Sequence, residues 1–322
     1  MPYLLEKSSS SISTATLGAT AENGGTRGYT LAIGGENSLP FQNYEGAAPN
    51  RAIVAAEIID MEPSLWPAAL KEAWGDALKD PAVWAKRAIE AGADMIYVKL
   101  LSIDPDNGGR SVEDCAATLG AILKAVPCPI GVQGCGVDEL DKGLISRVAE
   151  EFAGENLLIG LAGQENYATV TAACMVHKHT LISSSPLDIN ICKQINIMIS
   201  EMNMPMDRIV IDPSIGGLGY GLEYSYSVME RGRIGSLQGD KMLAMPVIGF
   251  IGNEAWKAKE ANASEADFPK WGDATERGVM WETITATSLL QAGIDILVMR
   301  HPEAIKIVKA QIEALSKPVA IA

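Results

Sequence analysis

Few residues of this 322-residue chain combine a reactive side chain with a position where chemistry could use it. Asp212 is the first. It ends the apolar run Ile209-Val210-Ile211 and leads into Pro213-Ser214-Ile215-Gly216-Gly217-Leu218-Gly219-Tyr220-Gly221. A short β-branched run bounded by turn residues predicts a buried strand. An acid at its carboxyl end, followed by open backbone, stands where α/β folds collect function. Asp212 could act as a general base, accept a hydrogen bond from a ligand ring, or support the glycine turn. No acid partner is visible beside it, which favours ligand contact or turn support over proton transfer. The glycines permit positive φ and close ligand approach. They fall as G-G-x-G-x-G, and Leu222 stands where a dinucleotide fingerprint counted from Gly217 needs its third glycine. The Lys-Ser/Thr ending of a phosphate loop is also missing.

Lys99 closes another apolar run. Desolvated inside a barrel it could form a Schiff base, but an ion pair with Asp104 or another rim acid is the simpler reading. His177 and His179 fall between a helix and the next strand, at the lower end of the fold, with no carboxylate or cysteine at a supporting spacing. They are expected to be structural rather than metal-binding. Arg300-His301 directly follows a strand and precedes Pro302 at a helix start, which suits either an anion or a packed cap. Gln133-Gly134-Cys135-Gly136, Gln164-Glu165-Asn166 and Ser183-Ser184-Ser185 give small polar rims after three further strands, and Gly252 follows a fourth.

These positions need a scaffold. Runs at Ile53–Ile59, Met95–Leu100, Pro129–Gln133, Leu157–Ala162, Thr180–Ser183, Ile209–Asp212, Pro246–Phe250 and Asp295–Met299 predict eight strands. They are continuous rather than alternating, as expected of parallel strands covered on both faces. Eight helical patterns lie between and after them. Pro186 and Asp188 mark the start of one helix, Ser111 with Asp114 caps another, and Pro302 starts the last. Strict alternation over a length near the roughly 250 residues of a (β/α)₈ barrel predicts an α/β fold of the TIM-barrel class from residue 51 to 322. Residues 1–50 read as an extension. Ile12–Leu17 and Tyr29–Ile33 flank Glu22-Asn23-Gly24-Gly25 as a β-hairpin expected to close the barrel bottom. Asp60–Asp80 and Ile251–Asp273 are long connections on the functional face, with Trp66, Trp74, Trp256, Phe268 and Trp271 as lid, docking or packing residues.

Composition narrows the function. Nearly half the chain is apolar (48%), and the formal net charge of −14 argues against nucleic acid and against an anionic membrane surface. No run reaches membrane-spanning length and no apolar signal-peptide core is seen at the start. The five scattered cysteines, Cys115, Cys128, Cys135, Cys174 and Cys192, form no C-x-x-C pair. They fit a reducing cytoplasm and make a cluster or zinc site built from this chain alone unexpected.

Longer stretches carry a resemblance. IVIDPSIGGLGYGLEYSYSVME (Ile209–Glu230) resembles the small subunit of the corrinoid iron–sulfur protein, the delta subunit of acetyl-CoA decarbonylase/synthase. So do Gly24–Pro40, Thr171–Thr180, Ser185–Gln194, Leu237–Leu243 and Glu276–Ala304, so the likeness covers nearly the whole chain. The resemblance implies a (β/α)₈ barrel that pairs with a large subunit carrying a [4Fe–4S] cluster and a corrinoid (cobalamin) domain, the corrinoid lying between that domain and the barrel top. It implies a methyltetrahydrofolate methyltransferase as methyl donor and acetyl-CoA synthase as acceptor. No catalytic residue and no metal ligand is then expected here. This chain lacks the D-x-H-x-x-G corrinoid motif and cluster-type cysteine spacing, which places both on the partner. The cofactor-facing residues expected from strand ends are Gln133, Gly134, Ser184, Asp212, Ser214, Gly216, Gly217, Gly219, Tyr220, Gly252, Arg300 and His301. The alternatives are a self-contained pterin-dependent barrel methyltransferase, with Asp212 as a ring contact, and a Lys99 Schiff-base enzyme.

Overall fold

A computed structural model describes residues 6–42 and 45–316. Ten strands are present among them. β1 (Thr14–Leu17) and β2 (Leu31–Gly34) pair antiparallel. The other eight are parallel: β3 (Ile53–Ile59), β4 (Met95–Lys99), β5 (Ile130–Gln133), β6 (Leu158–Ala162), β7 (Thr180–Ser184), β8 (Ile209–Asp212), β9 (Ile248–Gly249) and β10 (Ile296–Met299). Their order is β8-β7-β6-β5-β4-β3-β10-β9, and a parallel bridge from Ile211 to Val247 joins β8 to the start of β9. The ring therefore closes into the barrel that strand–helix alternation calls for. Strand bounds differ from the sequence expectation by one or two residues, most at β9, where pairing is confined to Ile248–Gly249.

Eleven α-helices occur among the described residues rather than eight. The principal ones are α2 (Pro81–Glu90), α3 (Val112–Ala125), α4 (Asp138–Glu151), α5 (Tyr167–His177), α6 (Ile189–Glu201), α7 (Leu222–Leu237), α10 (Ala274–Gln291) and α11 (Pro302–Leu315). The extra three, α1 (Ala68–Trp74), α8 (Ile251–Ala255) and α9 (Lys259–Asn262), are pieces of the two long connections, too short to show a helical period. Local chemistry sets the boundaries. Ser111 Oγ accepts the Asp114 N–H at 3.1 Å and donates to its carboxylate at 2.9 Å, starting α3. The α6 helix begins later than Pro186: Asp188 is its N-cap, accepting the N–H groups of Asn190 and Ile191.

Side chains divide into two cores. The helices pack on the outward face of the strands. A second cluster fills the barrel and contains Ile53, Ala55, Met95, Tyr97, Leu158, Ile182, Val210, Ile248, Phe250, Ile296 and Val298. These recur at every second position along a strand, so the runs alternate in direction even where they do not alternate in polarity. Ala15, Leu17 and Ile33 of the hairpin join this inner cluster. They meet it at the strands' N-terminal ends, the lower mouth. The hairpin connection is a 3₁₀ turn at Ala21–Asn23 ended by Gly24 at φ +86°. Arg27 is buried beneath it, donating to the carbonyl oxygens of Leu123, Val126 and Cys128 and pairing with Glu155 at 3.0 Å.

Candidate functional site

The two-residue period that fills the barrel with apolar groups changes character at its last layer. Continuing upward, β3 presents Glu57, β4 Lys99, β5 Gln133, β7 Ser184, β8 Asp212, and Arg300 follows β10. Six of the eight parallel strands thus bring a polar side chain to the C-terminal mouth. Just below it, Tyr97 spans the barrel. A Cβ on Gly131 would lie 2.4 Å from the Tyr97 ring, and one on Gly160 3.2 Å from its hydroxyl. These two glycines therefore make the space for one aromatic ring. The Tyr97 hydroxyl and Gln133 Oε1 are buried with no hydrogen-bond partner among the described residues.

Glu57 organises one side of the mouth. Its Oε2 is 2.9 Å from Lys99 Nζ, and its Oε1 is 2.6 Å from Arg300 Nη2 and 2.7 Å from Arg300 Nε. Burial alone would raise its pKa, but Arg300 and Lys99 together outweigh burial and hold the carboxyl below its ordinary range. Burial, only partly offset by Glu57, lowers the pKa of Lys99. Lys99 does form the expected ion pair with a rim acid, but the acid is Glu57 rather than Asp104. Asp104 instead accepts the Asp106 N–H and caps its own turn. Glu57 escaped the sequence reading although it was visible as the lone acid inside an apolar run. Its position, two residues beyond inward-facing Ala55, is the signal that would have found it.

Asp212, Ser184 and Ser214 form a second group. Ser184 Oγ donates to Asp212 Oδ2 at 2.9 Å and the Ser214 N–H to Oδ1 at 3.0 Å, while Ser214 Oγ donates to the Ser185 carbonyl at 2.8 Å. Ser214 is held at φ +53°. Burial pushes the Asp212 pKa up to about 6 against these two donors and the Lys99 charge, with Glu254 adding to the rise. An acid whose folded pKa is raised contributes stability that is complete below its unfolded value and lost as pH rises through the folded one. The stability of Asp212→Asn relative to wild type should accordingly improve by up to roughly 3 kcal/mol between pH 4 and 7. Chemical denaturation at both pH values reads this, and parallel pH curves for the two proteins would contradict it.

The turn after Asp212 is organised by the protein itself. The Gly216 N–H donates to Ser225 Oγ at 2.7 Å, the Leu218 N–H to Thr285 Oγ1 at 3.2 Å and the Tyr220 N–H to the Gly217 carbonyl at 2.9 Å. A Cβ on Gly216 would meet the Tyr220 carbonyl at 2.4 Å, and one on Gly217 the Glu254 carbonyl at 3.1 Å, so these two glycines serve backbone packing. Gly219, at φ +77°, is open above. Tyr220 is about half exposed and donates to Glu260, and neighbouring Tyr224 is still more exposed.

The remaining rim residues are placed as follows. A Cβ on Gly134 would collide with Asp141, whose carboxylate accepts the N–H groups of Cys135 and Gly136. Gly252 lies in α8, where a Cβ would be 2.6 Å from Arg300 Cγ. His301 is buried. Its Nδ1 accepts the Glu303 N–H, its ring stacks on Trp256 at 5.9 Å, and burial lowers its pKa to about 4. A carboxyl group does stand at this helix start, but it belongs to the chain. Glu282, missed in the sequence, accepts the N–H groups of Arg300 at 2.5 Å and His301 at 3.1 Å and the Trp256 indole at 2.8 Å. Burial nevertheless raises its pKa to about 7. His179 is structural, its Nδ1 accepting the Leu157 N–H and its Nε2 meeting the Ala149 carbonyl. Trp66, Trp74 and Trp256 pack inward, while Trp271 remains partly exposed. No group of three or more His, Cys, Asp or Glu among the described residues could hold a metal ion. No helix among them is long and apolar enough to cross a membrane.

Fold and mouth together define a closed (β/α)₈ barrel with a hairpin at its lower end. Solved dihydropteroate synthases share this architecture. The Xanthomonas albilineans enzyme with 4-aminobenzoic acid superposes with a TM-score of 0.57 at 12% identity, over 87% of this chain and all of that one. The Stenotrophomonas maltophilia enzyme does so with 0.56 at 13%, over 88% of this chain and all of its own. The chain belongs to the CO dehydrogenase/acetyl-CoA synthase delta subunit family, whose profile matches residues 16–311. It is 36% identical to the Archaeoglobus fulgidus acetyl-CoA decarbonylase/synthase complex subunit delta, over 96% of this chain and 69% of that protein. It is likewise 36% identical to subunit delta 2 of Methanosarcina acetivorans, over 91% and 68%.

Proposed function

We propose that this chain is the small subunit of a heterodimeric corrinoid iron–sulfur methyl carrier in the cytoplasm, and that its barrel top covers the corrinoid. The observation that carries the reading is family membership along residues 16–311. The mouth is compatible with it. Asp212, Glu57 and Glu282 each hold hydrogen bonds or ion pairs to groups of this chain. The upper surface offers small groups at Ser184, Ser214 and Gly219 beside the exposed rings of Tyr220 and Tyr224. These suit close approach to a flat macrocycle.

On this reading the large subunit holds both the [4Fe–4S] cluster and the corrinoid-binding domain. The corrinoid, when bound, supplies the cobalt that takes a methyl group from the methyltetrahydrofolate-dependent methyltransferase and passes it to acetyl-CoA synthase. The residues of this chain act by exclusion. The turn at Ser214–Tyr220 and the Ser184–Asp212 pair shield the cofactor face from water. Donor and acceptor proteins reach that face only when the cofactor domain moves away. The chain purified alone should be colourless and free of cobalt and iron, and should gain both when co-purified with its large subunit. Binding of methyltetrahydrofolate by the isolated chain, with methyl transfer to free corrinoid, would replace this reading by the self-contained methyltransferase.

A further inference from the structure

Across α8 from the glycine turn, the two long connections line a half-open cavity of about 640 Å³, the size of small-molecule sites. Met61, Leu65 and Trp66 from one connection and Leu101 after β4 give it apolar walls, and Asn253 and Arg300 also line it. The Arg300 guanidinium lies 5.0 Å from the centre of the Trp66 ring, and its side chain is only 11% exposed. Its Nε and Nη2 are engaged by Glu57 and Asn253. Its Nη1 has no protein acceptor among the described residues.

On one side of the cavity two cations share a single carboxylate. Glu57 is the one carboxylate shared by two buried cations, Arg300 and Lys99. The oxygens of the neighbouring carboxyls meet donors other than Arg300 Nη1. Glu282 is occupied by two backbone N–H groups and an indole, Asp60 by the N–H and hydroxyl of Ser102. At the cavity edge, Lys257 is balanced by Glu254.

We infer that this cavity binds a small organic anion, a carboxylate or phosphate carried on an apolar body. Arg300 Nη1 donates to the oxyanion, and Trp66 and Leu65 cover the body. The site needs no corrinoid and no partner subunit, so it stands or falls apart from the function proposed above. The test titrates the full chain with 8-anilino-1-naphthalenesulfonate and with its uncharged analogue N-phenyl-1-naphthylamine. The sulfonate should bind at least about tenfold more tightly, as a charge-assisted hydrogen bond requires. Leu65 is almost fully exposed, so its variants keep the fold. Leu65→Glu should weaken the sulfonate about tenfold more than it weakens the neutral probe, whereas Leu65→Gln should weaken both alike. Arg300→Gln should abolish the preference between the probes. Equal affinity of the wild-type chain for the two probes, or a preference unchanged in Leu65→Glu, would overturn the inference.

Discussion

Glu57→Leu should lower the free energy of unfolding by about 3–5 kcal/mol, the cost of leaving buried charge without its partner. Glu57 is fully buried and is the common anion of Lys99 and Arg300. Leucine has nearly the right volume, so the loss is electrostatic rather than a cavity effect. Arg300 would keep Asn253 and the Trp66 ring, and Lys99 would face the Phe250 ring, now 5.2 Å away, without its ion-pair partner. The triple variant with Lys99→Met and Arg300→Met should recover most of the loss, because replacing a whole buried ionic group with apolar residues is close to neutral. Urea unfolding of the three proteins reads both effects. If Glu57→Leu costs under about 1 kcal/mol, the triad is solvated in solution and is not the buried cluster described.

Arg27→Leu should cost a similar amount, about 3–5 kcal/mol, but at the other end of the barrel. This guanidinium is nearly fully buried, accepts its charge balance from Glu155 at 3.0 Å and serves three carbonyl oxygens that close α3 and precede β5. It is the polar anchor of an extension whose apolar anchors are Ala15, Leu17 and Ile33. Its removal leaves three carbonyls and one carboxylate facing a leucine. The double variant Arg27→Leu, Glu155→Leu should be more stable than Arg27→Leu alone, giving a coupling energy of about 1–3 kcal/mol. Additive losses would show that the pair contributes through packing only. Limited proteolysis adds a local readout, since cleavage within residues 14–34 should appear in Arg27→Leu before global unfolding.

The parts legible in the sequence were those that local pattern determines. Continuous apolar runs gave strands within two residues of their bounds, since a parallel strand needs apolar cover on both faces and nothing distant. Asp212 was placed at its strand end by the proline and glycines that follow it. The same local reading treated Ile53–Ile59 as uniform and so passed over Glu57. Its role depends on direction within the barrel and on two partners that lie 42 and 243 positions away in the chain. Choice between Asp104 and Glu57 as the partner of Lys99 is likewise a matter of tertiary geometry, because the nearer acid had a turn of its own to cap. The glycine turn presented itself as an open cradle. Its N–H groups are in fact answered by Ser225 and Thr285, whose relevance no spacing rule announces. His301 reads from the sequence as an anion site or a cap, and the group that meets its N–H is an internal glutamate nineteen residues upstream.

The central claim is that the mouth around Tyr220 is the surface laid against the corrinoid and its subunit. It is tested most directly by measuring cobalt retained per heterodimer after gel filtration, with wild-type chain, with Tyr220→Glu combined with Tyr224→Glu, and with Val176→Glu. Tyr220 and Tyr224 are exposed beside the turn, and Val176 is exposed near the end of α5, at the lower end of the barrel. Two added charges on a surface that must shed water should reduce retained cobalt about tenfold or more, while Val176→Glu should leave it at the wild-type level. Equal cobalt in all three heterodimers would contradict the account and move the corrinoid away from this face.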